Sequence, residues 1–203
     1  GKENGKNITI SKELSDKDIV ELWKNHLSGE QSIGLVAIDE NNCCVWGAID
    51  VDEYQLDLKE LAKKLAKHKL PLVICRSKSG GAHIYLFIDE PVPASLVQRK
   101  LRQLAASIGF GQAEIFPKQT QLLLERGDRG STLNMPYFGG EHSTRYGYDE
   151  KGAALGLEEF LKYAENITLT ASALEKLEVS PLTESIDWLD QGPPCIQHLV
   201  VQG

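Results

Sequence analysis

The 203-residue sequence lacks the features that would assign it to a membrane or secreted class. No apolar run approaches the roughly 18 residues that a membrane-spanning helix needs, and no charged and apolar leader opens the chain. We therefore expect no membrane partner. The hydrophobic fraction of 41% and the charged fraction of 25% are ordinary for a folded domain.

Cysteine is also scarce, with four residues in the chain. None of them forms a C-x-x-C pair, and the neighbours Cys43 and Cys44 would point to opposite faces of a strand. This pattern disfavours a disulfide framework and indicates a reducing, cytoplasmic compartment. Cys195 and His198 have a metal-like spacing, but a zinc site needs two more ligands that the sequence does not obviously offer.

The sequence also lacks an excess of positive charge, since the formal net charge is −7. This value argues against a protein that coats nucleic acid over its whole surface. A local basic groove is still compatible with it, since binding responds to the nearby field rather than to the total charge. Between residues 96 and 130 the balance reverses, with basic residues outnumbering acidic ones.

Apolar periodicity and turn residues predict an alternation of strands and helices. Strands are expected at 33–38 and 43–51, joined as a hairpin, and at 72–75, 82–88, 113–116, 122–124 and 132–135. Helices are expected at 15–29, 58–69, 93–109, 155–163 and 171–177. The order predicts an α/β domain built on a mixed sheet. We expect the main domain to span residues 1–180, with 181–203 forming a connector and the start of a truncated helical module.

The first candidate for chemistry is the pair Asp50 and Asp52, at the end of a predicted strand. Side chains alternate along a strand, so both carboxylates point to the same face. Two adjacent carboxylates repel each other unless a cation lies between them, and Mg²⁺ prefers such oxygen ligands. A solvated strand end would produce the same pattern.

The second candidate is the loop between the strands at 72–75 and 82–88. Its glycines permit a tight turn and a close approach to a ligand. Its hydroxyl and basic groups suit phosphate oxygens, and an imidazole follows at the start of the next strand. The residues concerned are Arg76, Lys78, Ser79 and His83. An ordinary surface turn is the competing interpretation.

Two weaker candidates follow along the chain. Glu114 lies between apolar neighbours on a predicted strand and offers a third carboxylate, and Lys118 stands four residues later, within reach of a triphosphate. Asn134 and Arg145 border a loop with Pro136 and paired glycines, and they are possible ligand contacts.

In this order, the motifs resemble the archaeo-eukaryotic primase superfamily, in particular the primase-polymerases of phages, plasmids and bacterial conflict systems. Asp50-x-Asp52 corresponds to the first motif, Ser79-Gly-Gly-Ala-His83 to the second and Glu114 to the third. The segments 114–119 and 134–140 are also similar to that group, and the resemblance runs from about residue 33 to 145. Gly192-Pro-Pro-Cys195 resembles the opening of the helical module that often follows the catalytic domain.

The resemblance implies a catalytic fold with an RRM-like core and flanking helices. It also implies a DNA primase or DNA polymerase, a nucleotidyltransferase that adds nucleotides to a 3′-hydroxyl. Asp50, Asp52 and Glu114 would then be the catalytic residues and the ligands of Mg²⁺ or Mn²⁺. The nucleotide-binding residues would be Arg76, Lys78, Ser79, His83, Lys118, Asn134 and Arg145.

The implied partners are a single-stranded DNA template with its primer, and an NTP or dNTP; a monomer is favoured. The basic side of the helix near Arg99–Arg102 would follow template phosphates. Two other classes stay open on the residues alone. One is a non-catalytic single-stranded nucleic-acid-binding or replication-initiator module, and the other is a metal-dependent nuclease. The implied location is the cytoplasm, in a prokaryotic, phage or plasmid context.

Overall fold

The computed structural model describes residues 2–3, 6–7, 10, 14–53 and 55–179. Two single-turn 3₁₀ helices, Leu124–Arg126 and Gly140–His142, lie in the connections. The helices are α1 (Asp16–Leu27), α2 (Leu58–Lys67), α3 (Ala94–Ser107), α4 (Leu157–Ile167) and α5 (Ala171–Lys176). The strands are β1 (Lys2–Glu3), β2 (Lys6–Asn7), β3 (Gly34–Val36), β4 (Cys43–Val51), β5 (Val73–Arg76), β6 (Ala82–Pro93), β7 (Glu114–Phe116) and β8 (Thr132–Asn134).

The central sheet has the strand order β5-β6-β4-β7, and every ladder in it is antiparallel. Along the chain its elements run β4-α2-β5-β6-α3-β7. Each helix therefore connects two strands that a third strand separates, which is the split βαβ arrangement of RRM-like domains. The predicted α/β fold class with an RRM-like core and flanking helices is confirmed. The sheet is antiparallel, however, and not mixed as predicted, because each helix returns the chain to a strand that lies parallel to the previous one but not beside it.

The two faces of this sheet have different coverings. Ile49 and Ile84 point to one face and pack in a core with Leu101 of α3 and the apolar side of α2. The opposite face carries Ala48 and Tyr85, which belong to a second apolar cluster with parts of β8 and α4. Because side chains alternate along a strand, Asp50 and His83 share this second face.

The predicted helix starts agree with the structure because local caps define them. Ser15 caps α1: its hydroxyl oxygen accepts from the Asp18 backbone N–H, and the Asp18 carboxylate accepts from the Ser15 N–H. Asp57 caps α2 by accepting from two backbone N–H groups. Such caps satisfy donors that have no partner within the helix.

The predicted hairpin between residues 33–38 and 43–51 is wrong. The turn itself closes, with the Asp39 N–H donating to the Cys43 carbonyl at 2.8 Å. Both edges of β4 are occupied, however, by β6 and β7. β3 therefore pairs with β8 in a separate antiparallel ladder, with Leu35 opposite Leu133.

The strand predicted at 122–124 is also wrong, since this segment leads into a 3₁₀ turn. The Leu123 backbone N–H donates to the Asp128 carboxylate at 3.1 Å instead of joining a ladder. Leu123 and Leu124 are 46% and 53% exposed, so no buried face fixes them in a sheet.

Lys100 of α3 is buried, and its Nζ donates to the carbonyls of Glu175 and Leu177 at 2.9 and 2.6 Å. It therefore fastens the end of α5 to α3. In addition, α3 packs on the sheet face opposite to Asp50. Both facts count against the idea that this basic helix face follows a template at the acidic residues.

We expect Lys100→Met to lower the free energy of unfolding by about 2 kcal/mol, because two carbonyls lose a charged donor. Urea denaturation of the full chain measures the change. Arg99→Met is the matched control, since Arg99 is exposed on the same helix and its loss should cost under about 0.5 kcal/mol. Equal effects of the two substitutions would contradict the role given to Lys100.

Several sequence-based expectations concern residues after position 179, which the structure does not describe. The boundary between the main domain and the connector, and the residues Cys195 and His198, lie outside the described part. Within it, Cys43, Cys44 and Cys75 are free thiols. None of the described helices has both the length and the apolarity to cross a bilayer.

Candidate active site

Asp50 lies near the end of β4, between β6 and β7, on the sheet face that also carries Ala48 and Tyr85. In the antiparallel registers it stands opposite His83 of β6 on one side and Glu114 of β7 on the other. Three neighbouring strands thus place two carboxylates and an imidazole abreast. The sequence predicted each of these residues but not their alignment across the sheet.

The Asp50 carboxylate is poorly compensated. Its side chain is 16% exposed, and within the described part of the chain Oδ1 is buried without a hydrogen-bond partner. Burial, followed by the charges of Asp52 and Glu114, raises the pKa of Asp50 to about 6. An anion in this position has little solvent around it, and the charge of Lys118 only partly offsets the two neighbouring carboxylates.

His83 does not add a positive charge. Its Nε2 lies 3.4 Å from Asp50 Oδ1. Burial lowers the pKa of His83 to about 4, with the charge of Asp52 acting in the opposite direction. A neutral imidazole at neutral pH makes this contact a dipolar one and not an ion pair.

Glu114 is engaged by a neighbouring cation. Lys118 Nζ lies 2.5 Å from Glu114 Oε2 and also sits over the Phe116 ring, 5.0 Å from its centroid. The turn that carries Lys118 is held from α3, where the Gln98 side-chain amide donates to the carbonyls of Pro117 and Lys118, each at 2.9 Å. Lys118 therefore contacts a carboxylate in this structure.

The loop between β5 and β6 is a tight, internally bonded turn. The Ser77 N–H donates to the Gly81 carbonyl at 2.9 Å, and the Ser77 and Ser79 hydroxyls lie 3.1 Å apart. Gly80 has φ +100°, a conformation that favours glycine. A Cβ on Gly81 would overlap the Val51 carbonyl oxygen, so this glycine lets the loop lie directly against the end of β4.

A polar recess of about 370 Å³ opens between this loop, the end of β4 and β8. It gathers six of the predicted residues, namely Asp50, Asp52, Lys78, Ser79, His83 and Asn134. Ser77, Phe116, Thr132 and Leu133 complete the lining. The sequence did not single out Thr132, because a short strand far along the chain gives no signal of its contact with β4.

Four predicted residues do not line the recess: Arg76, Glu114, Lys118 and Arg145. Arg76 is exposed at the end of β5. Arg145 is buried, donates from Nη1 to the Ser32 hydroxyl at 3.2 Å, and lies over the Phe138 ring. It packs within the loop region after β8, outside the recess.

A second cavity, of about 400 Å³, lies further along the same sheet face. Trp46, Tyr85 and Phe87 contribute to its lining from the sheet, Trp23 from α1 and Leu161 from α4. Tyr85 also touches His83, so one aromatic residue lies between the two cavities. The sequence does contain a signal for the aromatic side of this cavity, because the two-residue spacing of His83, Tyr85 and Phe87 places all three on one face of a strand.

The residues of the polar recess suit a hard divalent cation, although the described residues do not form a metal cage in advance. No three His, Cys, Asp or Glu side chains of the described residues already form a metal-binding group. Yet the Asp50 oxygen, to which no described residue donates a hydrogen bond, forms with the neighbouring Asp52 a donor set that Mg²⁺ or Mn²⁺ prefers when phosphate oxygens complete the shell. The residues present therefore fit such a cation together with a phosphorylated substrate.

Comparison with known proteins agrees with this geometry. Residues 5–147 match the model of the archaeo-eukaryotic primase domain of the TOTE conflict system. The match covers over two thirds of the chain, and the chain belongs to this family, within a primase-like nucleotidyltransferase superfamily. No curated protein matched the chain.

Proposed function

We propose that this protein is a template-directed nucleotidyltransferase, acting as a DNA primase, a DNA polymerase or both. Its partners would be a single-stranded DNA template with a primer and an NTP or dNTP. The observation that carries the proposal is the buried Asp50 oxygen, which has no hydrogen-bond partner in the described part of the chain and lies in a recess whose other wall is a serine- and lysine-bearing loop. Family membership supports the same reaction class.

The acidic side of the recess would hold Mg²⁺ or Mn²⁺. Asp50 and Asp52 are the primary ligands in this proposal, and Glu114 stands next to Asp50 on β7. The chemistry that a bound divalent ion supplies is activation of the primer 3′-hydroxyl and neutralisation of triphosphate charge in an in-line displacement. The carboxylates hold the reacting groups in position, which is most of what a protein contributes to phosphoryl transfer.

The opposite side of the recess would bind the triphosphate. Lys78 supplies a cation, and Ser79 and His83 supply polar groups around a loop that Gly81 lets lie against the end of β4. Lys118 could exchange its contact with Glu114 for a phosphate oxygen when nucleotide and metal arrive. Such an exchange would release the Glu114 carboxylate from Lys118 and make it available as a ligand of the divalent cation.

A non-catalytic nucleic-acid-binding module is the second candidate, and one observation favours it. The third carboxylate is paired with Lys118, and no three-residue metal cage is present among the described residues. This alternative predicts binding of single-stranded DNA without nucleotide incorporation, with an affinity that does not depend on metal.

The deciding experiment is primer extension on a labelled primer–template by the full chain, with Mn²⁺ or Mg²⁺ and either NTPs or dNTPs. We expect incorporation that chelation abolishes and that Asp50→Ala/Asp52→Ala eliminates. Asp89→Ala is the control, because Asp89 is exposed on β6 outside the recess. Activity retained in the double variant would overturn the metal assignment. Shortening of the labelled strand without nucleotides would indicate a nuclease instead.

A further inference from the structure

The hydroxyl of Tyr85 lies where the catalytic recess meets the apolar part of the same sheet face. Tyr85 is 2% exposed. Its oxygen is 3.2 Å from His83 Nδ1 and 3.4 Å from the carbonyl oxygen of Asn134. It therefore joins two residues that line the recess from different sheets.

The direction of these hydrogen bonds follows from the chemistry of the three groups. A backbone carbonyl can only accept, so the single Tyr85 hydroxyl proton points to Asn134. The phenolic oxygen then presents its lone pairs to His83, which favours the tautomer with the ring proton on Nδ1, and the Asn134 backbone also hydrogen-bonds this ring. The other ring nitrogen, Nε2, lies 3.4 Å from Asp50 Oδ1. That oxygen has no hydrogen-bond partner among the described residues, so no hydrogen bond to Asp50 holds the proton on Nε2.

We propose that Tyr85 is a positioning residue, whose buried hydroxyl, oriented by the Asn134 carbonyl, fixes the ring orientation of His83 and keeps its proton on Nδ1. His83 consequently presents Nε2 to the recess. The catalytic part of this inference rests on the proposed nucleotidyl transfer. The tautomer of His83 is a property of the free protein and does not rest on it.

Packing around Tyr85 gives the hydroxyl a defined position. Its ring stacks on Phe87 with centroids 5.9 Å apart and meets the His83 ring edge-on at 6.0 Å. The Trp46 ring lies next to it from β4, with the two ring centroids 6.1 Å apart. Since Phe would keep these ring contacts, Tyr85→Phe removes the hydroxyl with little change in packing.

The test combines nitrogen NMR of the histidine rings in the metal-free protein with nucleotide kinetics. In the wild type at about pH 7.5, where a histidine with a lowered pKa is neutral, we expect the His83 signals of an Nδ1-protonated ring, assigned by their loss in His83→Asn. Tyr85→Phe should give a mixture of tautomers. It should also raise KM for the nucleotide by about tenfold, as loss of an orienting hydrogen bond commonly does, with kcat changing less.

Tyr137→Phe is the matched control. Tyr137 is also a buried tyrosine whose hydroxyl bonds two backbone groups, accepting from Gly147 and donating to Leu155, each at 3.0 Å. It should lower thermal stability comparably and leave the His83 signals and KM unchanged. An Nε2-protonated His83 in the wild type, or identical His83 signals in Tyr85→Phe, would overturn the proposal. Absence of any nucleotide incorporation would instead refute the proposed function and leave the tautomer result standing.

Discussion

Replacing Asp50 with asparagine is expected to abolish nucleotide incorporation and, at the same time, to stabilise the metal-free protein. The activity should fall by at least about a thousandfold, because a metal ligand contributes several kcal/mol of charge stabilisation in the transition state. The stability should rise because the variant buries a neutral amide where the wild type buries an anion beside Asp52 and Glu114. A residue that improves the fold when removed but is needed for turnover belongs to a functional site.

The pH dependence follows from the direction of the pKa shift. The pKa of Asp50 is raised from 3.8 to about 6 in the folded protein, so the folded state binds this proton more tightly than the unfolded state. The stabilising effect of the protonated form is fully present below pH 3.8 and is lost as the pH rises through about 6. The penalty above that pH is about 3 kcal/mol.

The measurement is urea denaturation of wild type and Asp50→Asn in the presence of a chelator, across about pH 4 to 8. The difference in free energy of unfolding should approach about 3 kcal/mol in favour of the variant at about pH 8 and shrink towards zero near about pH 4. Asp89→Asn, which replaces an exposed carboxylate on β6, should track the wild type. A variant that is less stable than the wild type at the alkaline end would show that the Asp50 carboxylate has a stabilising partner.

The sequence predicted the residues that line the recess better than it predicted the strand pairing. Asp50, Asp52 and His83 could be found because a two-residue period and a glycine-rich turn are local signals. The pairing of β3 with β8 could not, because the turn at 39–43 forms as expected while the strand before it pairs across a separation of about a hundred residues. Only the occupation of both edges of β4 decides where β3 goes.

The same reasoning explains why Arg145 does not line the recess. A basic residue near paired glycines is typical of a phosphate ligand, but the Arg145 side chain contacts Ser32 and the Phe138 ring of its own loop. Its charge still acts on His83 from outside the recess. Tyr85 is the opposite case: the sequence pattern indicates only a core residue on a strand, and the proposed role of its hydroxyl depends on the distance to His83 Nδ1, which no local pattern gives.

The second prediction concerns Gly81, which we expect to be intolerant of even a methyl group. A Cβ there would overlap the Val51 carbonyl oxygen and lie 3.4 Å from the Cα of Asp52. Both neighbours are backbone, so neither can yield without moving the end of β4. Gly81→Ala should therefore lower the free energy of unfolding by about 3 kcal/mol, as overpacking of a tight contact does. It should also reduce incorporation by about a hundredfold, since a displacement of about 1 Å at a reacting group has that cost.

Gly80, next to Gly81, distinguishes a need for space from a need for a left-handed backbone conformation. Gly80 has φ +100° but open space around its Cα, and the nearest atom to an added methyl group would be Arg76 Nη2 at 3.8 Å. Gly80→Ala should therefore cost only the strain of a left-handed residue, about 1 kcal/mol. Gly111→Ala, with ordinary contacts to Ala106 and no unusual φ, should leave both stability and activity near the wild type. Thermal denaturation and primer extension of the three variants rank them. If Gly80→Ala proves as damaging to stability as Gly81→Ala, the close contact between the loop and β4 is not what makes Gly81 necessary.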